Sequence, residues 1–112
     1  MNTTMFGVPG SLLKDHIRDA DVPCTSESEA MALAAGAIMA GKDPVVYMQN
    51  SGLGYCVDIL MSLYRPYGIP MPRLLLSIRH TPVHHRYMGE ITYGILALVG
   101  YDQRRVTVID EK

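Results

Sequence analysis

Pro44-Val45-Val46-Tyr47-Met48-Gln49-Asn50-Ser51-Gly52-Leu53-Gly54 is the stretch that decides the fold class. A proline opens it, and four apolar residues, two of them β-branched and one aromatic, follow as a buried strand. Gln49 to Gly54 then breaks the run with polar residues and two glycines. Beyond it the spacing of Val57, Leu60, Met61 and Tyr64 predicts a helix to about Tyr64 with those four residues facing a core. Strand, glycine turn and helix in succession are the repeating unit of a parallel α/β sheet.

Working outward, the same alternation continues. Upstream, Glu27 to about Ala40 reads as an alanine-rich helix, stopped by Gly41, with Lys42 near its negative end. Its small residues Ala30, Ala34, Ala35 and Gly36 let a sheet approach closely. Val22 to Thr25 reads as a short extended piece, Ser11 as the cap of a short helix to about Arg18 with Leu12, Leu13 and Ile17 on one side, and Gly7-Val8-Pro9-Gly10 as a turn. Downstream come a proline-rich loop from Arg65 to Pro72, a strand from Arg73 to Ile78, a polar loop from Arg79 to Met88, a helix from about Glu90 to Val99 and a strand from Arg105 to Ile109. The expectation is one domain over residues 1–112, a three-layer α/β/α fold with a mostly parallel sheet of about four strands. In such sheets ligands sit beyond the carboxyl ends of the strands. Loops 49–54 and 79–88 both leave from those ends, so one functional edge is expected.

Composition narrows the function. The chain has 112 residues, 48% of them apolar, and a formal net charge of −1. That balance offers no basic footprint for nucleic acid and no charged amphipathic surface for a membrane. No run approaches the length of a membrane helix, and residues 1–4 carry no basic-then-apolar signal pattern. The two cysteines, Cys24 and Cys56, form no CxxC pair. They read as free thiols in a reducing, cytoplasmic setting.

Three segments can carry chemistry. Glu27, within Ser26-Glu27-Ser28-Glu29, is open to two readings: a carboxylate that complements a helix N-terminus, or a partly desolvated proton shuttle at a sheet edge. The turn Gln49 to Gly54 lets backbone approach a ligand and precedes a helix N-terminus, or is an ordinary tight turn. It contains no GxGxxG or Walker signature. His80, His84 and His85 share one loop without a carboxylate or cysteine to complete a metal site, so acid–base or substrate contact is the sharper reading and three solvated histidines the plainer one. Arg79 either pairs an anionic substrate group or is a charge at a strand end.

Taken in order, Gly7-Val8-Pro9-Gly10-Ser11-Leu12-Leu13-Lys14, Glu27 with Glu29 to Gly36, Pro44 to Gly54 and Tyr67-Gly68-Ile69-Pro70-Met71 resemble the pyrimidine-binding domain of phosphonopyruvate and sulfopyruvate decarboxylases. Gln49 to Gly54 is the most specific piece. The resemblance implies a thiamine-diphosphate-dependent 2-oxoacid decarboxylase. In that family a glutamate hydrogen-bonds the cofactor's pyrimidine ring and promotes the tautomer that activates the thiazolium carbon. Matched on Gly36, that glutamate falls on Glu27, and Glu29 does not fit. The same resemblance implies that Gln49, Asn50, Ser51 and Gly52 line the cofactor. His84 and His85 resemble the paired catalytic histidines of other thiamine-dependent decarboxylases, and Arg79 with His80 would meet the substrate's sulfonate or phosphonate. No Gly-Asp-Gly segment followed by a metal-binding asparagine is present. The resemblance therefore implies a diphosphate-binding beta subunit that holds magnesium, and an alpha-type chain active only in a hetero-oligomer. The stretch between Lys14 and Glu27 is compressed and no final helix follows Asp110. A non-catalytic binding or assembly subunit that kept the fold is the alternative, and an anion sensor built on Asn50 a third reading.

Overall fold

The computed structural model describes residues 3–17 and 21–111. Among these residues five strands form one sheet: β1 Met5–Gly7, β2 Val22–Pro23, β3 Val45–Gln49, β4 Arg73–Ile78 and β5 Val106–Asp110. The order is β2-β1-β3-β4-β5, and every neighbouring pair is parallel. Among the described residues there are three α-helices: α1 Glu27–Met39, α2 Val57–Ile59, which continues as a π-helical turn over Leu60–Tyr64, and α3 Arg86–Leu98. The α/β class and the parallel sheet are as the alternation predicts.

The layers follow from the handedness of the crossovers. The steps β2 to β3, β3 to β4 and β4 to β5 all advance in one direction across the sheet, so right-handed connections place α1, α2 and α3 on one face. There Ala30, Met31, Ala34 and Ala35 of α1, Leu60, Tyr64 and Leu96 close over Val46, Met48, Leu74, Leu76 and Ile78. The step β1 to β2 runs the other way, and its connection lands on the opposite face. Leu13, fully buried, packs there with Met5 and Tyr47 and against Ile17, Val45, Leu75 and Ile109. The second outer layer is thin.

Four local expectations need correction. β1 was unforeseen: three residues are too short a run to read as a strand, and Gly7, read as turn, ends it. A methyl on Gly7 would come within 2.6 Å of the Tyr47 ring, so only glycine admits that side chain. The helix expected over 11–18 is instead a turn and a 3-10 turn at Lys14–His16, without a Ser11 cap; Arg18 lies outside the described residues. Eight residues are too few to carry the cost of helix nucleation, and of the expected stripe only Leu13 is fully buried. The fourth helix starts at Arg86, four residues before the position expected. Met61 is exposed, whereas Leu60 and Tyr64 are fully buried, because the wider π turn re-phases the core stripe. That turn lets the Tyr64 hydroxyl donate to the Met31 carbonyl at 2.6 Å.

Candidate active site

β1 lies between β2 and β3, so the chain reverses its progress across the sheet there. A crevice opens at the carboxyl ends of strands on either side of such a switch point. Three segments reach it: the loop after β1, the start of α1 after β2, and the 3-10 turn Asn50–Cys56 after β3.

The start of α1 separates two carboxylates that the sequence places two residues apart. Ser26 caps the helix, its Oγ accepting from the Glu29 N–H at 3.2 Å. Glu29 reaches back, its Oε1 accepting from the Thr25 N–H at 2.8 Å and from the Thr25 hydroxyl at 3.3 Å. The capping role open to Glu27 is thus filled by Glu29. Glu27 is half-buried, and among the described residues its carboxylate makes no hydrogen bond or ion pair. It lies instead against Gly52, where an added methyl would come within 2.6 Å of Glu27 Oε2. The glycine is needed because the carboxylate occupies its side-chain space. Cys56 stands next to them, its thiol donating to the Gly52 carbonyl at 3.5 Å. Burial, and then the nearby Glu27 charge, push that thiol up to about 12, so it stays protonated and unreactive at neutral pH.

The remaining predicted residues divide between brackets and surface. Asn50, 1% exposed, donates from Nδ2 to the Thr92 hydroxyl at 2.9 Å and accepts at Oδ1 from the Arg79 N–H at 3.1 Å. Its amide joins the loop after β3 to the loop after β4 and to α3. Gln49 Nε2 donates to Ser51 Oγ at 3.1 Å at the surface. Arg79 is engaged: Nε pairs with Glu111 Oε2 at 3.2 Å, and Nη2 donates to the Thr81 carbonyl at 3.2 Å. His80 faces Asp110 at 3.0 Å. His84 and His85 lie with ring centroids 4.1 Å apart in the 3-10 turn Val83–His85 that leads into α3. Desolvation, then the charges of His84 and Arg79, hold His85 below its ordinary value. Among the described residues no hydrogen bond or ion pair joins either histidine to Glu27.

The organising residue of this second cluster is Glu111, which sequence reasoning did not single out. Its carboxylate accepts from the His80 N–H at 3.0 Å, the Thr81 N–H at 2.8 Å, the Thr81 hydroxyl at 2.8 Å and Arg79. Those donors, the His80 backbone first, lower its pKa to about 2. A signal was present: Ile78 pairs with Asp110 in register, so the basic residues after β4 lie beside the acidic residues after β5. Among the described residues no group of three or more His, Cys, Asp or Glu side chains could hold a metal ion, and no helix is long and apolar enough to cross a membrane.

With this geometry in view, the relatives are informative. The chain is 52% identical over 60 residues to sulfopyruvate decarboxylase subunit alpha of Methanothermobacter thermautotrophicus, which covers 54% of this chain and 36% of the relative. It is 43% identical over 60 residues to the subunit of the same name from Methanocaldococcus jannaschii, over 54% of this chain and 34% of that one. It is 38% identical over 108 residues to phosphonopyruvate decarboxylase of Streptomyces viridochromogenes, over 86% of this chain and 27% of that enzyme. These relatives support the sulfopyruvate and phosphonopyruvate decarboxylase family for this chain. No protein-family profile matches it. It spans between about a quarter and about a third of the length of these decarboxylases.

Proposed function

We propose that this chain is the alpha-type, pyrimidine-binding unit of a thiamine-diphosphate-dependent 2-oxoacid decarboxylase acting on a sulfonate- or phosphonate-bearing substrate. The observation that carries the reading is Glu27: a half-buried carboxylate with no hydrogen-bond or ion-pair partner among the described residues, at the switch point of a parallel sheet, seated on a glycine that can carry no side chain. A carboxylate so placed is costly to leave idle, and a ring nitrogen of an aminopyrimidine is a fitting partner. The cradle of Glu27, Gly52 and the adjoining backbone suits a flat heterocycle edge-on. Gln49, Ser51 and the Asn50 backbone would border it. When bound, the cofactor supplies the electron sink for loss of carbon dioxide. Glu27 exchanges a proton with the ring nitrogen at a carboxyl oxygen. Gly52 keeps that carboxyl in place, and Asn50 fixes the loop it faces.

In this reading His84 and His85 move protons at the substrate, and Arg79 with His80 borders its anionic group. Glu111 already engages the Arg79 guanidinium, so Arg79 would contribute only its remaining donors. The diphosphate and magnesium would be held by a separate beta subunit, consistent with relatives that are themselves named alpha subunits. Buried free thiols at Cys24 and Cys56 suit a reducing, cytoplasmic compartment.

Reconstitution tests this. The chain is mixed with a diphosphate-binding subunit, thiamine diphosphate, magnesium and a three-carbon 2-oxoacid bearing a sulfonate or phosphonate, and carbon dioxide release is followed. Activity that disappears in Glu27→Gln is expected. Undiminished release in that variant would sink the role of Glu27, and no release by the wild-type chain with any such partner would favour a non-catalytic assembly subunit.

A further inference from the structure

We propose a second ligand site at the opposite end of the sheet: a cavity that takes an oxyanion carried on a small apolar body, with Arg65 as its anchor. The cavity, about 300 Å³, is formed by the segment after the π-helical turn and the segment before β5, and is lined by Arg65, Ile69, Pro70, Met71, Gly100, Asp102 and Arg105. That volume suits a compact organic anion.

The charge arrangement decides the ligand. Four guanidinium groups, Arg65, Arg73, Arg104 and Arg105, gather near the amino ends of β4 and β5, where Asp43 and Asp102 are the carboxylates that pair with them. Asp43 pairs with Arg73 at 3.2 Å and with Arg105 at 3.3 Å, and Asp102 grips Arg104 at 3.0 Å. Arg105 is held further by the Met71 carbonyl at 3.1 Å. Every arginine of the group but one therefore has a carboxylate. Arg65 has none: among the described residues its guanidinium makes no hydrogen bond, ion pair or ring contact. It lies over Gly100, with Nη1 3.1 Å from where a Cβ on that residue would sit, and Gly100 has φ of 75°, where a side chain is disfavoured.

A guanidinium presents paired N–H donors that match the oxygens of a phosphonate, sulfonate, phosphate or carboxylate. Asp102 does not cancel this, because its oxygens are already occupied by the Arg104 side chain and backbone N–H. Ile69, Pro70 and Met71 give the cavity an apolar side that a bare inorganic ion leaves unused. This end of the sheet is distinct from the Glu27 edge, which lies at the carboxyl ends of the strands.

The test is an NMR titration of the isotope-labelled full chain with phenylphosphonate and, in parallel, with inorganic phosphate. Phenylphosphonate is expected to shift the Arg65 side-chain Nε–H and Gly100 amide resonances and to saturate with a dissociation constant of about 1 mM or tighter. Arg65→Gln, which removes an exposed and unpaired side chain and so keeps its melting temperature, is expected to weaken binding at least about tenfold. Arg79→Gln is expected to bind as the wild type does. The proposal is overturned if phenylphosphonate produces no saturable shift, if Arg65→Gln binds unchanged, if Arg79→Gln abolishes binding, or if inorganic phosphate binds as tightly as phenylphosphonate.

Discussion

Glu27 and Glu111 are two carboxylates at the same edge of one sheet, and they are used in opposite ways. Glu111, beyond β5, takes hydrogen bonds from two backbone N–H groups, a hydroxyl and a guanidinium. Glu27, beyond β2, takes none among the described residues and rests on a glycine. The saturated group is held ionised, and its capacity to accept is spent on fixing the loop after β4. The unsatisfied group retains that capacity. A carboxylate that stabilises the fold and one available for chemistry are told apart by what already donates to them, not by residue type or exposure.

The contrast can be broken most severely at Glu27. In the reconstituted enzyme Glu27→Gln is expected to lower carbon dioxide release by about 100-fold or more, the usual scale for losing a positioned proton donor. Because Glu27 has no hydrogen-bond or ion-pair partner to lose among the described residues, the same variant should unfold in urea within about 0.5 kcal/mol of the wild type. A large loss of stability would assign Glu27 to the fold and erase the distinction.

Gly52→Ala attacks the same arrangement from beneath. The methyl takes the space of the Glu27 carboxyl, so this overpacking is expected to cost about 1–3 kcal/mol in chemical denaturation. In the double variant Glu27→Gly/Gly52→Ala the steric part of that cost should disappear. An equal cost in both backgrounds would mean that the glycine answers to something other than Glu27.

Asn50→Ala removes the bracket between the two halves of the edge. It leaves the part-buried Arg79 N–H without its acceptor and the Thr92 hydroxyl without its donor, and a loss of about 1–3 kcal/mol is expected by calorimetry or denaturant titration. Faster exchange of the Arg79 amide alone, with the Glu29 amide unchanged, would locate the damage at the β4 side.

Glu111→Gln should give the smallest effect, and one that depends on pH. The folded-state pKa of Glu111 lies near 2, below its ordinary value of 4.5. A depressed carboxyl contributes stability that is fully present above the ordinary value and is lost as pH falls through the folded value. The melting temperature of Glu111→Gln should therefore lie below that of the wild type at neutral pH, and the gap should close between about pH 4.5 and pH 2. A gap that persists to pH 2 would show that the carboxylate's charge is not what holds the loop.

Much of this was legible in the residues, for reasons that differ by segment. β3 and β4 are continuous apolar runs, and both were placed within a residue of their ends. The start of α1 at Glu27 and its stop at Gly41 were legible, whereas its Ser26 cap was not singled out. β1 was not, since Met5 to Gly7 is a strand only by virtue of lying between β2 and β3. The π-helical turn was equally hidden: Met61 fits an α-helical core stripe as well as Leu60 does, and packing alone turns it outward. At the edge, Glu27 was legible as a candidate and Glu29 as its neighbour, but their division of labour was not.

The sequence by itself determined the alternation of strand and helix, hence a parallel α/β sheet with its working edge at the carboxyl ends, because hydrophobic periodicity and glycine turns act locally. It also determined which side chains were at hand there. Only the tertiary structure decided which of them were spoken for. The Ser26 cap turns Glu29 back onto Thr25 and leaves Glu27 on Gly52, and the β4–β5 register gives Arg79 and the backbone N–H groups of His80 and Thr81 to Glu111. The Ser26–Glu29 cap is a local pattern, but the donors to Glu111 come from residues about thirty positions away and are brought there by through-space geometry alone.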